Sequence, residues 1–161
     1  MESIYGVNCI KGEVHSLMTI LRWSSRWSLK GSFSSSSGAA EQNSIVTEFS
    51  ELSDRIKGVY DLGNLNCCTY LQPFCSVVIS KNANGPLTSA SLNSLSKFAL
   101  YGFFSSDFPG AKDGINMVAH AIAGCIFEES DRESDEIILM KLLELATMTF
   151  RSDASDLLTV V

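Results

Sequence analysis

The chain has 161 residues, 45% of them apolar and 19% charged, and carries a net charge of −6. That length holds one domain with a real core rather than two. The acidic balance excludes the basic footprint of a nucleic-acid binder and gives no strong attraction to anionic lipid. The lean charge content suggests that part of the surface is covered by something else.

The elements expected in chain order are nearly all helices. Helix 1 is expected from about Ile4 to Ser24, with Ile10, Val14, Leu17, Met18 and Leu21 on one stripe at spacings of three and four. The Ser/Gly-rich stretch from Leu29 to Ser44 reads as a flexible loop. Helix 2 spans roughly Asn43 to Val59, with Ile45, Phe49, Leu52, Ile56 and Val59 inward. Helix 3 runs from Thr69 to Ser80, with Pro73 in its first turn, where a missing N–H costs little. "NANGP", residues 82–86, breaks the chain before helix 4, Leu87 to Phe104, whose stripe is Leu92, Leu95, Phe98 and Ala99. Helix 5 runs from Ala111 to Phe127, buried through Ile115, Val118, Ala119 and Ile122. Helix 6 runs from Ser134 to Phe150, and a seventh is expected to start at Ser152 or Asp153. No period-two strand pattern lasts longer than four residues. Helices 3–4 and 5–6 form successive hairpins offset by about forty residues, the period at which armadillo and HEAT units stack. The expected fold is therefore all-α, an armadillo/HEAT-like α-solenoid of six to seven helices, with each hairpin needing a neighbour for its apolar face.

Chemistry is sparse. Five cysteines (Cys9, Cys67, Cys68, Cys75, Cys125) and two histidines form no C-x-x-C and no ligand set for zinc, so free thiols in a reducing compartment are expected and no metal. No phosphate-cradling glycine loop, H-E-x-x-H or nucleophile elbow is written, so no cofactor and no catalytic residue is assigned. His15 and His120 read as helix-face histidines. The N-terminus lacks a secretory signal. The uncharged span Leu62–Ser80 is interrupted by Gly63, Asn64, Asn66, Gln72 and Pro73 and is no membrane helix. Together these imply the cytosol or a cytosolic membrane face. Two readings stay open for "LRWSSRWS": an interfacial anchor through Trp23 and Trp27, or a Trp packed on the bundle with Arg22 and Arg26 near the helix end. Ser34 to Ser37 are a possible phosphate acceptor run without further support. Asp131, Glu133, Asp135 and Glu136 invite a catalytic or metal reading. They fit a helix start better, with Ser134 as N-cap and Asp135 and Glu136 against the positive end of the dipole. Behind them, Ile137 to Leu145 is apolar on nearly every side, which predicts a helix buried from several directions. Lys97 is left over, a cation between Leu95 and Phe98.

Several segments resemble the large Golgi Arf guanine-nucleotide exchange factors of the GBF/Gea/GNOM type. "GPLTSASLNSLSKF" (Gly85–Phe98) is similar to their Gly-Pro-aliphatic-Thr…Lys-Phe signature. "SDEIILMKLLEL" (Ser134–Leu145) is similar to their Ser-acid-Glu-aliphatic segment, and "YLQPF" (Tyr70–Phe74) to their aromatic-Leu-x-Pro-Phe. Ile10, Gly12 and Glu13 resemble an N-terminal Ile-x-Gly-Glu, and Arg26, Trp27 and Ser28 the Arg-Trp that follows it. The motifs keep the family's order over nearly the whole chain. The resemblance implies the N-terminal dimerisation and cyclophilin-binding (DCB) domain over residues 1–161, an armadillo-like solenoid with a regulatory role. Its implied partners are a second copy of itself (a homodimer), the downstream HUS region, and cyclophilin and small GTPases of the Arf/Rab class. It also implies peripheral attachment to Golgi membrane from the cytoplasm, and no nucleic acid. Lys97 and Glu136 fall at positions implicated in the family's self-association. The chain departs from the family in its Ser-rich 29–44 segment, in Arg132 where Pro is frequent, and in ending before the domain's last helices. It shows no Sec7 segment, so it is not expected to be an enzyme by itself. A free-standing helical adaptor of the non-catalytic Sec7-related type is the alternative.

Overall fold

A computed structural model describes residues 2–28, 36–81, 83–125 and 132–159. Six α-helices account for most of the described chain: α1 (Glu2–Ser28), α2 (Ser36–Ile56), α3 (Cys67–Ile79), α4 (Gly85–Leu100), α5 (Ala111–Ala123) and α6 (Arg132–Phe150). Short 3-10 turns at Leu62–Asn64 and Ser155–Leu157 complete it, and no strand occurs among the described residues.

Local signals fix where these helices begin. The side chain of Asn66 accepts from Cys68 N at 2.9 Å and caps α3. Asn84 accepts from Leu87 N at 3.0 Å and caps α4, with Pro86 in the first turn. These two caps move both helices two residues earlier than hydrophobic spacing implies. As a result Pro73 lies in the middle of α3 rather than in its first turn, and the carbonyl of Thr69 loses its usual helical donor. α4 ends at Leu100, not Phe104. Gly102 takes φ +67, Phe103 N donates to Phe98 O at 2.9 Å and Gly102 N to Ala99 O at 3.1 Å. That is the six-to-one and five-to-two pattern of a Schellman cap, closed by the Phe98–Phe103 ring contact at 5.9 Å. α2 begins at Ser36, inside the segment expected to be a loop. Ala39, Ala40, Glu41 and Gln42 are good helix formers, and their propensity prevails over the serine-rich composition. Residues 29–35 lie outside the described residues.

The helices pack as two layers. α2, α3 and α5 form one and α1, α4 and α6 the other, with α3 against α5 and α4 against α6 the most extensive contacts. This is a helical solenoid of three hairpins, with the first hairpin presenting its helices in swapped order. α3 and α5 start side by side. Cys67 N donates to Pro109 O at 2.9 Å. Gly110, at φ +79, leaves room for the Asn66 cap, because a Cβ there falls 2.3 Å from Asn66 Oδ1. The core holds the expected stripes: Ile10, Val14, Leu17 and Leu21 of α1, Ile45, Phe49, Leu52 and Ile56 of α2, Leu92, Leu95 and Phe98 of α4, and Ile115 and Val118 of α5 are all buried. Edge-to-face rings join three helices, with Phe74 against Phe49 and against Phe98, both at 5.1 Å.

Two expectations fail at the C-terminal end. No seventh α-helix forms among the described residues. After α6 the chain makes the 3-10 turn and runs back along α5, where Asn116 Nδ2 donates to Leu157 O (3.1 Å) and Asn116 Oδ1 accepts from Thr159 N (2.9 Å). Those side-chain bonds hold the backbone out of helical geometry. Nor is α6 buried from several directions. Ile138 and Leu145 are buried, but Ile137, Leu139, Met140, Leu143 and Phe150 are exposed, Leu143 by 69%. Among the described residues α4 and α5 are its only large helical neighbours, and they cover one stripe.

Candidate functional site

Two features stand out from the packing. The first lies between α1 and α4. Glu13, on the inner side of α1, accepts from Lys97 Nζ at 2.6 Å and from the Ser94 hydroxyl at 2.7 Å. The Glu13 side chain is only 16% exposed, against 46% for Lys97. Ser94 is fully buried and keeps the Ala90 carbonyl at 3.1 Å as a second acceptor. The hydrogen bond to Glu13 holds the Lys97 ammonium above its ordinary range. Cys9, one turn before Glu13, has its thiol pushed up by burial and then by the Glu13 charge. Charge, hydroxyl and cation are mutually satisfied, so the trio ties α1 to α4. Sequence reasoning missed Ser94 altogether, since a serine eighty-one positions from its acceptor leaves no local signal.

The second feature is the outer face of α6. Met140, Leu143 and Thr147 fall at helical spacing and, with Ala99 and Leu100 of α4 and Arg151 beyond α6, line a groove of about 610 Å³. The acids at the helix start stand apart from it. α6 begins at Arg132, so Ser134 lies inside the first turn and is not the N-cap. Asp135 is half-buried, and one of its carboxylate oxygens has no partner among the described residues. Glu136 is exposed. Asp131 and the side chains of Glu133 and Ser134 lie outside the described residues. No group of three His, Cys, Asp or Glu side chains suited to a metal occurs among the described residues.

The structure does not bring Lys97 and Glu136 together in one chain. Gly85, at the start of α4, lies against Ile138 at the start of α6. Lys97 is twelve residues further along α4, about 18 Å away by helical rise. Lys141 instead donates to Asn93 Oδ1 at 2.7 Å midway along the pair. Trp23 is 58% exposed, which contradicts packing on the bundle for that residue, while the side chains of Arg26 and Trp27 lie outside those described. His15 and His120 sit on exposed helix faces as expected. All five cysteines are free thiols.

The motif segments thus meet in space. Glu13 of the first contacts Ser94 and Lys97 of the second. Tyr70 and Phe74 of a third pack edge-on against Phe98, and the Tyr70 hydroxyl donates to the carbonyl of Phe103. The same chain is 28% identical over 155 residues to a Golgi-specific brefeldin A-resistance guanine nucleotide exchange factor 1 homolog of Caenorhabditis elegans, a match over 96% of the chain. The chain is related to the large Arf guanine-nucleotide exchange factors. Two members from Arabidopsis thaliana extend the likeness: GNL1 at 24% identity over 91% of the chain, and GNOM at 31% over 56%. The chain spans only 8%, 10% and 6% of these three exchange factors. No family model matches the chain. No helix among the described residues is long and apolar enough to cross a membrane.

Proposed function

We propose that this chain is the N-terminal regulatory, DCB-type portion of a large Arf guanine-nucleotide exchange factor that works at the Golgi. In this reading its work is protein contact: self-association and docking of the following helical (HUS) region. Release of GDP from Arf belongs to a separate Sec7 segment of the longer protein, and the chain by itself is not a catalyst. Peripheral attachment from the cytoplasm, with small GTPases and a cyclophilin as further partners, follows from the same kinship.

The observation that carries the reading is the outer face of α6. Ile137, Leu139, Met140, Leu143 and Phe150 are all exposed on one helix, beside the exposed Leu100 of α4. Contiguous apolar surface of this kind marks an interface. Glu136 stands at the start of that face as a polar rim, where charge sets register more than affinity. Lys97 contributes through its half-exposed ammonium while Glu13 fixes its position.

Co-precipitation of two differently tagged copies tests this. Wild-type copies are expected to capture each other, and Met140→Glu/Leu143→Glu to abolish capture with an unchanged helical spectrum. Capture that survives the double change overturns α6 as the contact surface.

A further inference from the structure

A cleft of about 850 Å³ lies where α1, the turn at Leu62–Asn64, the connection from α4 to α5 and the segment after α6 converge. It adjoins the groove beside α6, since Tyr101 and Asp153 directly follow Leu100 and Ser152, but it shares no lining residue with that groove and plays no part in the contact proposed above. Its apolar floor is made by Gly6, Leu62, Phe103 and Phe108. Gly6 is needed for that floor: a Cβ there falls 3.2 Å from Leu62 Cδ2 and 3.3 Å from Phe103 Cε1. Tyr101 and Phe103 form a tilted aromatic pair along one wall, with centroids 5.6 Å apart.

The rim has one sign of charge. Asp61, Asp107 and Asp153 line the cleft and no lysine or arginine does, among the described residues. Asp61 also caps the 3-10 turn, accepting from Gly63 N at 2.8 Å. Lys97 is within electrostatic reach of Tyr101 and Cys9 but is held by Glu13, so it does not neutralise the rim. Three carboxylates from three separate segments thus surround an aromatic floor. An acidic, aromatic wall repels phosphate and anionic headgroups and attracts cations, through Coulomb forces and through ring faces. The volume falls in the range of ligand pockets and holds two or three side chains.

From this charge complementarity we infer that the cleft is a docking site for a short peptide segment of a partner protein, one that places a bulky apolar side chain beside Lys or Arg. The apolar side chain enters over Leu62 and Phe103, and the cation meets Asp107 and Asp153.

The test uses the whole chain, labelled with 15N, and three capped hexapeptides as probes: Gly-Leu-Arg-Leu-Arg-Gly, its Glu-for-Arg analogue and its Ser-for-Leu analogue. The Leu/Arg peptide is expected to shift the amides of Gly6, Leu62, Gly102 and Phe103, and to bind about fivefold more weakly to Asp107→Asn/Asp153→Asn. Raising salt from low to high ionic strength weakens it further. Equal binding of the Glu analogue reduces the cleft to a non-selective apolar surface and overturns the inference. Equal binding of the Ser analogue reduces it to diffuse surface charge, with the same consequence. Shifts confined to α6, or none with any peptide at millimolar concentration, also overturn it.

Discussion

Gly114 is the place where the stacking of α3 on α5 is least forgiving. It is the fourth residue of α5 and is buried. A Cβ added there falls 2.4 Å from Cys67 Sγ and 3.1 Å from Leu71 Cδ1. Both neighbours are themselves fully buried on α3. Replacing a helical glycine by alanine normally stabilises by about 0.5–1 kcal/mol. Overpacking a closed core costs about 1–3 kcal/mol, and a contact this short belongs at the upper end. Gly114→Ala is therefore expected to destabilise the chain by about 2 kcal/mol, or lower its melting temperature by roughly 4–8 °C for a chain of this length. The sulfur is the principal obstacle, since the Cβ of Cys67 lies at an ordinary 3.7 Å. Cys67→Ala, harmful alone through a lost buried contact, should then relieve most of the damage in the double variant. Urea unfolding followed by circular dichroism at 222 nm gives all four corners of the cycle. A coupling of about 1–2 kcal/mol in favour of the double variant is expected. Strict additivity, or a stabilising Gly114→Ala, refutes the close approach of α5 to α3.

Four further expectations rest on the hydrogen bonds and thiols. Glu13→Ala removes an acceptor from Lys97 and Ser94 and is expected to cost about 1 kcal/mol, because Lys97 is partly solvated and Ser94 retains the Ala90 carbonyl. The Lys97 ammonium is held above its ordinary range, so its contribution is complete below the unfolded lysine pKa and is lost as pH rises through the folded value. Alkaline unfolding curves of wild type should therefore fall more steeply above about pH 10.4 than those of Lys97→Met. Tyr70→Phe leaves the Phe103 carbonyl without its hydroxyl donor and is expected to destabilise by about 1–2 kcal/mol in urea unfolding. Burial pushes the Cys67 and Cys75 thiols up to about 12, so both should react with an aromatic disulfide reagent at pH 8 only after unfolding; prompt reaction at either contradicts the packing of α3.

Much of the fold is legible in the hydrophobic spacing, because α1, α2, α4 and α5 each bury one regular stripe against one neighbouring layer. Boundaries shift wherever a side chain caps a helix, at Asn66 and Asn84, or a glycine closes one, at Gly102. Spacing is blind to those events. α6 misleads for a different reason. Its apolar residues run almost around the helix, but hydropathy cannot say how many neighbours arrive, and only one stripe meets α4 and α5. The outer residues keep an apolar surface without a cover among the described residues. The link of Glu13 to Ser94 and Lys97 spans more than eighty positions. No local pattern announces it, although Glu13 and Lys97 both fall within the segments that resemble the exchange-factor family. Lys97 stands out in the sequence as a cation between apolar positions, but its contact with Glu13 does not.

The solution mass by light scattering tests the central claim most directly, measured for wild type, Lys97→Ala/Glu136→Ala and Met140→Glu/Leu143→Glu. The account predicts a dimer for wild type and a folded monomer for both double variants. A wild-type monomer at every concentration, or a dimer that both sets of changes leave intact, contradicts it.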